Sequence, residues 1–313
     1  MSASGRSPRG RVFVVGSINR DFVLKVERRA RPGETLTDAA LELHEGGKGA
    51  NQAVAAARLG AEVSILGRIG EDEIGPPLLR SLEENGVDVK SVSRDPERAT
   101  GSAFIAVTPD GENSITVAPG ANRGLSVADV EAARERIEAA AVVVAQLEIP
   151  PEVVEQTAGI VRESGGRMLL NFAPARRAAS PGLVRGADPL VVNEIEAGIL
   201  LGDPERVADP EAAMEAAPEL LALGAGSVVI TLGGAGAVCA AENFGPEHVP
   251  APEVEVVDTT GAGDAFVGAL AARLSFGDTF RDAVGLAVLA GSAAVTGAGA
   301  QGALPTPEQL RRP

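Results

Sequence analysis

Short β-branched runs alternate with amphipathic, alanine-rich segments along most of this chain, and that alternation restricts the fold more than any other feature. Apolar runs at 12–15, 63–66, 141–147, 167–171, 189–192, 227–231 and 254–257 have the length and composition of strands. Segments 50–59, 74–85, 126–140, 151–164, 209–223, 264–274 and 281–295, and another beginning near 194, space apolar residues as helices do. Gly60 and Gly86 close the first two. Strands alternating with helices predict an α/β fold with a mostly parallel sheet covered on both faces. The 313 residues are enough to bury a large core, in one big domain or two ordinary ones.

Two segments break the rhythm. Residues 19–48 carry a turn at Arg31-Pro32-Gly33 and polar alternation from Thr35 to His44. Residues 102–108 and 114–117 flank Pro109-Asp110-Gly111-Glu112-Asn113, a hairpin pattern. These inserts divide the chain into an α/β body (1–18, 49–97 and 121–313) and a discontinuous β-rich unit (19–48 and 98–120). A small sheet with an exposed apolar face is expected to be a lid, a dimer interface, or both.

Charge narrows the partners. The formal net charge of -15 argues against nucleic acid and anionic membranes, which need a basic face. A phosphate-bearing ligand must then be held locally, by backbone N–H groups, a helix N-terminus, a metal ion or a single Lys. One cysteine, Cys239, excludes an intramolecular disulfide and fits a reducing compartment. His44 and His248 lie far apart in sequence, so no zinc site is expected. No Gly-x-Ser-x-Gly elbow is present, which leaves Asp or Glu as the expected base. Residues 1–10 are polar, and no apolar stretch long enough for a signal peptide or a membrane span follows them. The expectation is a soluble, cytoplasmic protein.

The polar motifs fall at strand-to-helix junctions. Asp258-Thr259-Thr260-Gly261-Ala262-Gly263-Asp264 lies between the 254–257 run and the 264–274 helix. Its Gly261, Ala262 and Gly263 can aim backbone N–H groups outward at a helix N-terminus, which is an anion site. Asp264 in the first turn is favoured as a carboxylate. A carboxylate beside an anion hole suits phosphoryl transfer, although a plain capped turn has the same spacing. Gly46-Gly47-Lys48-Gly49-Ala50-Asn51 precedes the next such helix and lacks the pattern of a Walker A loop. Its N–H groups, Lys48 and Asn51 can bind a polyhydroxylated ligand, or it is a solvated loop. Asn19 and Asp21 follow the first strand, where α/β sheets bind ligands, and can bond to vicinal hydroxyls; an Asx-turn fits equally. The glycines of Thr231-Leu232-Gly233-Gly234-Ala235-Gly236 allow a nucleotide close to the backbone, and equally an ordinary turn. Glu148 and Glu196 can serve Mg²⁺ through water or accept from a hydroxyl, and Glu196 can equally be a helix-dipole partner.

Taken in order, these motifs and Gln146-Leu147-Glu148, Asn171-Phe172-Ala173-Pro174-Ala175 and Asn193-Glu194-Ile195-Glu196 resemble the ribokinase/PfkB sugar kinases, and among them the ribokinases. The likeness runs from about residue 12 to about 310. It implies a three-layer α/β domain with a β-clasp lid and a homodimer joined through that lid. It implies transfer of the ATP γ-phosphate to the 5-hydroxyl of D-ribose, with Asp264 as base and Gly261, Ala262 and Gly263 as anion hole. By the same resemblance Asn19, Asp21, Gly47, Lys48, Gly49, Asn51, Glu148 and Asp264 contact the sugar. Asn193, Thr231, Gly233, Gly236, Gly263 and Asp264 contact ATP, and Glu196 meets Mg²⁺ through water. Asp258 and carbonyls of Thr260, Ala294, Gly297 and Gly299 are implied ligands of a monovalent cation, K⁺. Ala303 replaces a Ser common near the last of these, and Val288 replaces a His that some members place beside the adenine. The competing expectations are a PfkB-type kinase for another sugar or a nucleoside, and a non-catalytic sugar- or nucleotide-binding protein on the same fold. A dinucleotide-binding dehydrogenase is weaker still, because Gly16-Ser17-Ile18-Asn19 stands where a Gly-x-Gly-x-x-Gly turn would be.

Overall fold

The computed structural model describes residues 10–110, 112–175 and 181–311. Its strands are β1 (Arg11–Val15), β2 (Asn19–Lys25), β3 (Ala40–Gly46), β4 (Glu62–Gly70), β5 (Val87–Asp95), β6 (Gly101–Val107), β7 (Asn113–Ala118), β8 (Val142–Ala145), β9 (Met168–Asn171), β10 (Leu190–Asn193), β11 (Ser227–Thr231), β12 (Ala237–Ala241) and β13 (Phe244–Val249). Its helices are α1 (Lys48–Arg58), α2 (Gly75–Glu84), α3 (Val127–Ala132), α4 (Arg134–Glu138), α5 (Pro151–Ser164), α6 (Pro181–Val184), α7 (Glu194–Leu201), α8 (Pro210–Ala222), α9 (Ala262–Phe276) and α10 (Phe280–Ala294).

Nine strands form the main sheet in the order β13-β12-β11-β10-β9-β8-β1-β4-β5. Pairing is parallel from β5 through β11 and antiparallel in the β11-β12-β13 meander at the edge. Central β1 explains the layering. Val12 and Val14 point into one core, with α1, α9 and α10, while Phe13 and Val15 point into a second, with α5 and α8. A strand buried on both faces must be apolar throughout, as this one is.

The two β-rich segments pair with each other as a separate sheet, β3-β2-β6-β7. Its middle strands β2 and β6 run parallel, with Asn19 opposite Gly101. One face carries Phe22 stacked on Phe104, ring centroids 5.1 Å apart. On the same face Leu41 and Leu43 are each more than half exposed.

Three sequence expectations need correction. Residues 254–257 form no strand and join neither sheet, where the β12–β13 hairpin occupies the edge of the main one. The 126–140 helix divides at Ala133, whose ψ of 3° takes the backbone out of the helical range. Strands β5, β12 and β13 were not anticipated. No helix among the described residues is long and apolar enough to cross a membrane.

Candidate active site

Helices α1 and α9 cross so closely that Gly268 has no room for a side chain. A Cβ there would lie 2.4 Å from the Ala55 Cβ and 2.7 Å from the Gln52 carbonyl oxygen. That approach brings the first turns of both helices together. Asn51 Nδ2 donates to Asp264 Oδ2 and Gln52 Nε2 to Asp264 Oδ1, each at 2.9 Å. Asp264 is buried in the first turn of α9. Gly261, at φ 80°, turns the chain into that helix. Among the described residues the N–H groups of Gly263 and Asp264 have no protein partner, so both are free to bind an anion.

A group of polar side chains gathers beside this carboxylate. Asp21, on β2, lies against Gly46, where a Cβ would meet its carboxyl within 2.3 Å. Burial, then Glu148 and Asp264, push the Asp21 carboxyl up to about 6, against His44 and Arg20. Glu148 accepts from the Ser17 hydroxyl and from the Lys48 N–H. Burial works against charge on Lys48, yet Asp264, Glu148 and Glu196 outweigh it and hold the ammonium above its ordinary value. Asn19 is buried, and its Oδ1 accepts from Asn122 Nδ2 at 2.7 Å, which leaves its own N–H₂ as the group it can offer a ligand. Gly47, at φ 88°, starts α1, and Gly49 packs directly on the backbone of Gly16 and Ser17.

On the other side of Gly263 opens a cavity of about 900 Å³. Asn193, Thr231, Gly233, Gly236, Gly263 and Val288 line it. Gly236, at φ 96°, sits where a Cβ would strike the Val249 carbonyl, so this turn requires glycine. Asn193 caps α7 in a reciprocal box: its Oδ1 accepts the Glu196 N–H at 2.8 Å and its N–H donates to Glu196 Oε2 at 2.9 Å. Burial keeps the Glu196 carboxyl above its usual range, against the Asn193 N–H and Lys48.

The chain matches the pfkB family carbohydrate kinase model over residues 9–307. It belongs to the PfkB family of carbohydrate kinases. It is 38% identical over 296 residues to the ribokinase of Haemophilus influenzae, covering 95% of each chain. It is 36% identical over 299 residues to the deoxyribokinase of Salmonella typhi, covering 96% of this chain and 97% of that protein. The structure of Arabidopsis thaliana ribokinase complexed with ribose and ATP superposes with a TM-score of 0.88 at 30% identity, over 96% of this chain and 97% of that one. The fold is ribokinase-like, and the chain is a sugar-kinase phosphotransferase acting on an alcohol group.

In this PfkB-family chain the loop bearing Asp258 meets the loop after α10. The N–H groups of Val257 and Asp258 both donate to the Val295 carbonyl, and Gly299 N donates to Asp258 Oδ2 at 2.9 Å. Asp258 also accepts from Thr260 N. Burial alone would raise the Asp258 carboxyl, but the Thr260 and Gly299 donors outweigh it and keep it below the usual range. Ala303 packs on Gly297, where a Cβ would lie 3.0 Å from its own.

The sequence motifs singled out the residues that could face a ligand and passed over those behind them. Ser17, Gln52, Asn122 and Gln301 each bond to one or more of the predicted residues, and Asn171 bonds to Gln52 behind them. Asn171 stands inside a quoted motif, and Gln52 directly follows one, without a role. A buried amide next to a catalytic motif is the signal that would have found them.

Proposed function

We propose that this kinase transfers the γ-phosphate of ATP to the 5-hydroxyl of D-ribose, with Asp264 as base. The reading rests most on one observation: a buried carboxylate beside free N–H groups at a helix N-terminus, between the polar cluster of Asp21, Lys48 and Glu148 and the 900 Å³ cavity. ATP lies in that cavity against the 231–236 turn and Asn193. The sugar lies among Asn19, Asp21, Gly47, Lys48, Gly49, Asn51 and Glu148, under the small sheet as a lid. The hydroxyl proton passes to an Asp264 oxygen as the hydroxyl oxygen bonds to phosphorus. The bond from phosphorus to the ADP oxygen breaks, and its electron pair leaves with ADP. The Gly261-Ala262-Gly263 turn meets the charge on the transferring group, with the free N–H groups of Gly263 and Asp264 as donors, while the Ala262 N–H is held by the Thr259 carbonyl.

Among the described residues no three His, Cys, Asp or Glu side chains converge as a metal site. That fits a Mg²⁺ bound by nucleotide phosphates and water, with Glu196 reached through water. When bound, the ion neutralises phosphate charge. Asp258 and the carbonyls of Thr260, Gly297 and Gly299 lie on two touching loops and that of Ala294 at the end of α10, a donor set suited to K⁺. A positive charge held there would orient the loop dipoles toward the anion hole. The small sheet's Phe22, Leu41, Leu43 and Phe104 face supports pairing of two copies.

The test is ADP release with ATP and Mg²⁺, offering D-ribose, 2-deoxyribose, fructose and nucleosides, with K⁺ or a bulky organic cation. Ribose-dependent turnover that rises with K⁺ and disappears in Asp264→Asn is expected. Turnover only with another sugar would replace the substrate, turnover indifferent to K⁺ would remove the cation, and an active Asp264→Asn would remove the base. No turnover with any of them would favour a binding protein.

A further inference from the structure

We propose that Gln52, braced by Asn171, is a positioning residue that fixes the plane of the Asp264 carboxylate; the inference rests on the reading of Asp264 as base. Gln52 is 1% exposed and sits one turn into α1. Its Nε2 uses both hydrogens, donating to Asp264 Oδ1 at 2.9 Å and to Asn171 Oδ1 at 3.0 Å. Turning the amide over would set Oε1 against both of those oxygens. Asn171 is itself oriented by the Val191 carbonyl, which faces its Nδ2 at 3.5 Å.

Asn51 is held from the opposite side in the same manner, its Oδ1 accepting from Gln301 Nε2 at 3.1 Å. Each Asp264 oxygen therefore receives one amide N–H, and each keeps a lone pair for a ligand. Both donors are neutral amides with no acidic proton. They can orient the carboxylate but cannot protonate it, so they leave it ready to take the proton of the hydroxyl being phosphorylated.

The second observation is what Gln52 gives up. Among the described residues its Oε1 is buried with no hydrogen-bond partner. A buried orphan acceptor is a liability to the fold, and a methionine would fill similar space without it. Packing therefore does not explain a glutamine here, whereas the two bonds from Nε2 do. Loss of a group that holds reacting atoms in place lowers turnover more than binding.

The experiment is Gln52→Met in the full chain, with ATP, Mg²⁺ and the sugar turned over fastest. The expected result is a kcat lower by about 10- to 100-fold, KM for sugar and ATP within about threefold of the parent, and a Tm equal or higher. Asn171→Leu should lower kcat less, and the double variant should be no slower than Gln52→Met alone, because both act through one bond. A folded Gln52→Met with kcat within about twofold of the parent overturns the proposal. So does a fall in Tm with equal losses in kcat and sugar affinity, or failure to fold, since either makes the residue structural. An active Asp264→Asn would take away the base, and this inference with it. An inactive Asp264→Asn beside a fully active Gln52→Met would remove this inference alone.

Discussion

Asp21 illustrates how a neighbourhood moves a single carboxyl. Its value near 6 means the folded protein holds this proton more tightly than the unfolded chain does, first because the group is buried and then because Glu148 and Asp264 are close. The folded value lies above the unfolded one, so the stability linked to this group is fully present below pH ~4 and is lost as pH rises through 6. Asp21→Asn should therefore raise Tm relative to the parent at pH 7–8 and leave it nearly unchanged at pH 4, read by thermal unfolding across that range. A sugar hydroxyl bonds more strongly to the carboxylate than to the acid. Sugar affinity should then rise from pH 5 to 7 in the parent and lose that dependence in the variant, by calorimetry. A flat difference in Tm over the range would show that Asp21 is not the group responsible. The site exchanges stability for a charge that the ligand uses.

At the scale of elements, the α1–α9 crossing places the carboxylate. Gly268→Ala would gain about 1 kcal/mol in helix propensity. It would lose about 1–3 kcal/mol to overpacking, because the obstacles at 2.4 and 2.7 Å are a Cβ and a backbone oxygen, neither of which can swing away. The clash wins. Net destabilisation in urea should come with a fall in kcat larger than the change in sugar KM, since parting the helices draws Asn51 and Gln52 off Asp264. Unchanged stability and turnover would mean that the crossing relaxes freely.

Helical spacing and β-branched runs made most of these elements legible in the sequence: α5 and β11 fall on the expected residues. Other places were not legible, for physical reasons. Val254, Val256 and Val257 have strand composition, but composition reports backbone preference and not whether a partner edge is free. Strand β12 is Ala-rich and reads as no strand, and it forms because β11 and β13 flank it. At Ala133 nothing in residue type marks the helix break. Within the site, Asp264 and the glycines stood out because their backbone demands are local. Asn122 and Asn171 contact the motifs from more than 100 residues away in the chain, a relation no local pattern encodes.

For the whole molecule, the outward face of the small sheet is the feature that leaves apolar side chains exposed together. Phe22 and Phe104 stack there, with Leu41 and Leu43 beside them, on a monomer whose formal charge of -15 otherwise favours separation. Sedimentation at micromolar concentration should give a dimer for the parent and a monomer for Leu43→Glu. A monomeric parent would leave that face without a role in self-association. The same acidity has a consequence for how such a chain can change over generations. Two helix N-termini meet at Asp264, so on the proposed reading the attraction for a transferring phosphate comes from peptide dipoles and not from a basic exterior. Surface carboxylates can then accumulate or drift with habitat and genome composition while the chemistry stays sheltered. Descendants adapted to very different ionic surroundings could share one unaltered catalytic centre.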